Sequence, residues 1–87
     1  MKAFILYHPS SEHSRSVEDY VHEFERQRHK GIKLISLDRP EGADKARLYD
    51  IVQYPALVVV REDGQLVKVW QGDKLPLMDE VAGNLER

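Results

Sequence analysis

The residues best equipped for chemistry sit near the amino terminus, where His8-Pro9-Ser10 leads into Ser11-Glu12-His13-Ser14. A serine close to a histidine suggests a nucleophile and its base. That chemistry also needs an orienting acid, a strained turn and a second oxyanion donor, and no spacing in the chain supplies them. Ser11, Ser14 and Ser16 precede an apolar stripe of helical period, so helix capping is the expected role, worth about 1 kcal/mol over alanine. The free N–H groups and dipole of that helix start would also favour an anion, which gives Ser11, His13 and Ser14 a second reading as anion donors. Four histidines, His8, His13, His22 and His29, raise the question of a metal. His22 and His29 fall about two helical turns apart, roughly 10 Å along the axis, too far for one ion without a third ligand. Glu18 with His22 and Glu25 with His29 read instead as i, i+4 surface contacts. His8 and His13 flank the same loop and can converge, but no metal site is expected.

The chain contains no cysteine. Disulfides, thiolate catalysis, thiolate zinc sites and iron–sulfur clusters are therefore outside its chemistry. Its 13 basic and 15 acidic residues give a net charge of -2, which argues against a nucleic-acid binder, since those cluster a basic excess. The longest apolar run, Ala56 to Val60, falls far short of the roughly 20 residues that span a bilayer. No signal-peptide pattern opens the sequence, so a cytoplasmic location without membrane association is the expectation. With 87 residues, 41% of them hydrophobic, the chain has room for a single domain, 1–87, that depends on a well-packed core.

The elements that must position these residues follow from apolar periodicity. Lys2 to Tyr7 (KAFILY) predicts a strand buried on both faces. Val17, Tyr20, Val21 and Phe24 recur at i, i+3, i+4 and i+7, predicting an amphipathic helix over Ser14 to His29 that Gly31 stops. Ile32 to Leu37 reads as a second strand, and turn residues Asp38 to Gly42 precede a short helix from Ala43 to Asp50. Ala56 to Arg61 and Leu66 to Trp70 flank Asp63-Gly64, the signature of a hairpin. Asp73 and Pro76 mark the start of a last helix with Leu77, Met78, Val81 and Leu85 on one face. The order β-α-β-α-β-β-α predicts an α/β fold: a right-handed crossover makes the first two strands parallel, the hairpin completes a mixed four-stranded sheet of order 2-1-3-4, and three helices cover it.

This ordered set resembles the thioredoxin-like superfamily in its minimal, glutaredoxin-sized form. The resemblance is carried by Leu34 to Asp38, Pro40 to Ala43 and the stretch Leu48 to Leu57, which contains Tyr54-Pro55 in the position of the family's cis-proline. Asp63-Gly64 and Gly72 match its hairpin and the glycine before its last helix. The family's Cys-x-x-Cys motif corresponds here to Ser11-Glu12-His13-Ser14, with serine at both cysteine positions. A serine hydroxyl neither ionises near neutral pH nor forms a reversible mixed disulfide, so the family's thiol–disulfide chemistry is not open to this chain.

The resemblance implies a cis Tyr54–Pro55 bond and a groove beside it that pairs with an extended peptide. It also makes Gly72 and Asp73 candidate contacts for the γ-glutamyl end of glutathione, against the plainer expectation that Asp73 caps the last helix and Trp70 fills a sheet face. The expected binding groove is thus Ser11, Glu12, His13, Ser14, Tyr54, Pro55, Gly72 and Asp73, with no catalytic residue. The leading expectation is a redox-inactive binding module for a protein or extended peptide, with no resident cofactor. Two alternatives stand beside it: a glutathione-binding or glutathione-dependent protein in which Ser11 donates to the ligand's thiolate, and a structural or oligomerising domain with a vestigial groove.

Overall fold

A computed structural model describes residues 1–86. β1 (Lys2–Tyr7) runs through the middle of a four-stranded sheet of order β2-β1-β3-β4. It pairs in parallel with β2 (Lys33–Ser36), Leu6 opposite Ile35, and antiparallel with β3 (Ala56–Val60), Leu6 opposite Ala56. β3 continues through the hairpin into β4 (Leu66–Gln71). The mixed sheet and three helices are the α/β architecture that the apolar pattern predicts.

The alternation of side chains along β1 and β3 explains why both strands are continuously apolar. Ala3, Ile5, Tyr7, Leu57 and Val59 point to one face, where they meet Val17, Val21 and Phe24 of α1 (Ser14–Arg28) and Val81 and Ala82 of α3 (Met78–Leu85). Phe4, Leu6, Ala56, Val58 and Val60 point to the other, under Ala46 of α2 (Pro40–Leu48) and Ile51. A strand serving two cores cannot alternate with polar residues. Each fully buried branched or aromatic side chain contributes roughly 1.5–3 kcal/mol, and the ends of β1 and β3 deliver the chain to the loops described below.

The hairpin turns at Arg61–Gln65. The Arg61 N–H donates to the Gln65 carbonyl at 2.8 Å, the Asp63 carboxylate accepts from the Gln65 N–H at 3.0 Å, and Gly64 takes φ 90°. Positive φ is where glycine replaces any other residue cheaply.

Several element ends differ from the sequence expectation. α2 begins at Pro40, three residues before Ala43, and ends at Leu48. Proline fits the first helical turn, whose N–H groups have no intrahelical acceptor. Gly42 then lies inside the helix because only hydrogen fits there: a Cβ would stand 2.1 Å from the Ser36 carbonyl oxygen. α1 closes at His29, which takes the left-handed conformation (φ 56°) and donates its N–H to Glu25 O, so Gly31 lies beyond the stop. Glu25 thereby meets His29 through its backbone, while the Glu23 carboxylate accepts from Arg26 and Gln27. The last helix starts at Met78, not at Asp73 or Pro76. Residues 73–77 form no helix, with Leu77 extended and the Tyr20 hydroxyl donating to the Pro76 carbonyl at 2.7 Å. Leu77 is the N-cap and is 72% exposed, so it leaves the apolar face on which its spacing had placed it. The Glu80 carboxylate accepts from its N–H, half of a capping box. No helix among the described residues is long and apolar enough to cross a membrane.

Candidate functional site

β1 ends at Tyr7, whose burial pushes its phenol pKa up, with Glu18 adding to the effect. The loop that follows is folded around His8. The His8 carbonyl accepts the Ser11 N–H at 3.1 Å and the Ser11 hydroxyl at 2.6 Å, and the Ser11 carbonyl accepts the Ser14 N–H. The His8 N–H donates to Nε2 of His13, 3.2 Å away, and His13 occupies the N-cap of α1 in an αR conformation. Its side chain makes no capping bond. The expectation that serines cap α1 is therefore corrected: the Ser11 hydroxyl serves the loop, and Ser14 is the first helical residue. Glu12 is exposed.

His8 also reaches the second half of the site. Its ring meets Tyr54 edge-on at 5.5 Å between centroids, and its Nδ1 lies 3.8 Å from the Asp38 carboxylate. Tyr54 is half-buried and donates its hydroxyl to the Ile51 carbonyl at 2.9 Å. The Tyr54–Pro55 peptide is cis, and the Pro55 carbonyl accepts the N–H of Gly72 (φ 106°) at 3.0 Å. Gln71, the last residue of β4, extends its Oε1 to the N–H groups of both Val52 and Gln53, at 3.0 and 3.1 Å. Thus β4 ties down the turn that presents Tyr54. Neither the N–H nor the C=O of Tyr54 forms a hydrogen bond among the described residues.

Of the eight residues singled out in the sequence, the fold links Ser11 and His13 through His8 to Tyr54, and Pro55 directly to Gly72. Asp73 follows Gly72 but is exposed and does not cap the last helix, four residues short of the Leu77 N-cap. The structure adds His8 as the hub, Asp38 beside it and Gln71 beneath the turn. Proximity to His13 and to the Pro turn hinted at His8. The Gln71 contacts bridge 18 and 19 residues, beyond any local signal.

A shallow hollow of about 450 Å³, lined among others by His8, Leu37, Ile51, Val52 and Tyr54, opens beside the turn, and Val52 on its rim is 75% exposed. A larger one, about 900 Å³, lies at the opposite end of β1 and contains none of the eight residues. On its rim Lys33 pairs with Glu41 and Lys2 with Glu62. The smaller hollow is the one attached to the site.

This arrangement limits the chemistry. The Ser11 hydroxyl donates to a carbonyl and His13 Nε2 is taken by a backbone N–H, so the two do not form a nucleophile and base. Among the described residues no group of three or more His, Asp or Glu is placed to hold a metal ion. What the site offers is a free backbone donor and acceptor at Tyr54, next to an apolar rim.

No family model and no curated protein matches the sequence. Solved structures do. Thioredoxin 1 from Thermosipho africanus superposes with a TM-score of 0.68 at 12% identity, covering 99% of this chain and 91% of the other. Mitochondrial thioredoxin 3 from Saccharomyces cerevisiae gives 0.64 at 14% identity, covering 97% and 74%. A thioredoxin from Thermus thermophilus gives 0.52 at 22% identity, covering 98% and 72%. Identities this low speak for the backbone alone, and with the sheet order β2-β1-β3-β4 they establish that this cysteine-free chain has a thioredoxin-like fold.

Proposed function

We propose that the chain acts as a single, redox-inactive binding domain that takes an extended peptide or a segment of a partner protein along the Tyr54–Pro55 turn. One observation carries this reading: the N–H and C=O of half-buried Tyr54 both lack a hydrogen-bond partner among the described residues, in a turn tied down by Gln71 on one side and Gly72 on the other. A strand-like ligand satisfies both at once, and its side chains fall against the Val52 rim and the His8 ring. Serine at positions 11 and 14 is consistent with a site that holds a chain without exchanging disulfides.

The test is selection of random heptapeptides displayed on phage, followed by titration of an enriched synthetic peptide into the labelled protein, read by amide NMR. The reading predicts saturable shifts at Ser11 to Ser14, Val52 to Tyr54 and Gly72, and about tenfold weaker binding for Val52→Asp, the loss of one apolar contact. Failure to enrich any peptide, or shifts confined to other surfaces, refutes it. Reduced glutathione is titrated in parallel; saturable shifts at the same residues with glutathione and not with peptide would replace the reading by a glutathione-binding one.

A further inference from the structure

One of the bonds that close the loop framing the site depends on an acceptor that one proton removes. The His8 N–H donates to His13 Nε2, so His13 must carry its proton on Nδ1 and be neutral. We propose that His13 is a proton-operated latch: acidification breaks the His8–His13 bond and loosens the His8–His13 loop, left to the bonds from Ser11 to the His8 carbonyl, and so alters the setting of the His8 ring that walls the Tyr54 turn. This names a regulation of the binding site proposed above and rests on that reading for its biological meaning, although the latch is measurable without any ligand.

Imidazole is the side chain that ordinarily changes charge between pH 5 and 8. Protonated, His13 has two donors and no acceptor, and its positive ring faces a backbone N–H that is itself a donor. A protonated His13 thus cannot make the closing bond, and acid removes the acceptor on which it depends. The groups around the latch come from each element packed there. From the end of β1 comes His8, its ring centroid 6.4 Å from that of His13. From the loop after β2 comes Asp38, 3.8 Å from His8 Nδ1. From the turn before β3 comes Tyr54, its hydroxyl bonded to Ile51 O. Glu12 and Arg15 flank His13 along the chain and are exposed.

The experiment follows the wild-type, His13→Gln and His13→Ala proteins by amide and imidazole NMR from pH 8 to pH 5. In the wild type, the Nδ1–H tautomer of His13 should dominate at pH 8. As His13 charges, the His8 amide should shift upfield, lose about fivefold in exchange protection, the equivalent of about 1 kcal/mol, and carry the Tyr54 ring signals with it at the same midpoint. Glutamine accepts through its Oε1 at every pH, so His13→Gln should hold the closed pattern throughout, and His13→Ala should show the open pattern throughout. A His8 amide that does not follow His13 titration, or that titrates identically in His13→Ala, overturns the latch. Neither result depends on peptide binding, so failure of the latch and failure of the binding reading are separable.

Discussion

Replacing Gly42 by alanine should destabilise the protein strongly, although the same change in an exposed helix is stabilising. A Cβ on Gly42 would stand 2.1 Å from the Ser36 carbonyl oxygen, 2.8 Å from its carbon and 3.1 Å from Leu37 Cα, all backbone atoms of β2 and its exit. Carbon and oxygen ordinarily approach to about 3.3 Å, so α2 must withdraw by about 1 Å, loosening Ala46 and Ile51 from the core they share with Phe4, Leu6 and Val58. Overpacking costs about 1–3 kcal/mol, and a clash with backbone belongs at the upper end. Alanine returns about 1 kcal/mol of helix propensity, leaving a loss of about 2 kcal/mol and a melting point lower by roughly 8–16 °C. Gly83 in α3 is the internal control, because a Cβ there meets nothing within 4 Å. Gly83→Ala should gain roughly 0.5–1 kcal/mol. Urea unfolding of both variants gives the two midpoints. A Gly42→Ala midpoint equal to or above wild type would refute the argument that α2 is seated by that close contact. Because α2 leads directly into Ile51 to Tyr54, the same variant should also shift the Tyr54 amide.

Removing the Tyr20 hydroxyl with phenylalanine should cost about 1 kcal/mol, since the Pro76 carbonyl loses its donor, and the loss should appear as faster exchange at the start of α3. Burial, with Glu80 adding, pushes the Tyr20 phenol up to about 12. Its protonated form is therefore favoured in the folded state; this stabilisation is complete below about pH 10 and lost as pH rises toward 12, so Tyr20→Phe should flatten the alkaline limb of stability against pH. Gln71→Leu should deprotect the Val52 and Gln53 amides, whereas Gln71→Glu keeps an acceptor and should restore them; equal protection in both variants would remove Gln71 as the anchor of the turn.

The architecture was legible because two cores leave a strong imprint. Buried on both faces, β1 and β3 must read as unbroken apolar runs, and α1 shows its Val17, Val21 and Phe24 stripe plainly. Helix starts were less legible for reasons specific to each. Gly42 suggests a turn when taken by its low helix propensity, and only the nearness of Ser36 explains its place inside α2. Asp73 and Pro76 carry good start signals, yet the Pro76 carbonyl bonds the Tyr20 hydroxyl ahead of the helix, and Tyr20 is 56 residues away. At the site, the Ser11 to Ser14 stretch and the Tyr54-Pro55 turn stood out in the sequence. The partners that shape them did not, because Gln71 arrives through strand pairing and the role of His8 depends on where β1, the Asp38 loop and the Tyr54 turn converge.

The central claim is that a bound chain pairs with the backbone of Tyr54. The most direct measurement is hydrogen exchange of the Tyr54 amide, free and with a saturating selected peptide. The account predicts that this amide, unprotected in the free protein, becomes protected on binding by tenfold or more, as an amide gaining an acceptor and losing water should. Binding that leaves Tyr54 exchanging at its free rate would contradict the claim and move the ligand to another surface.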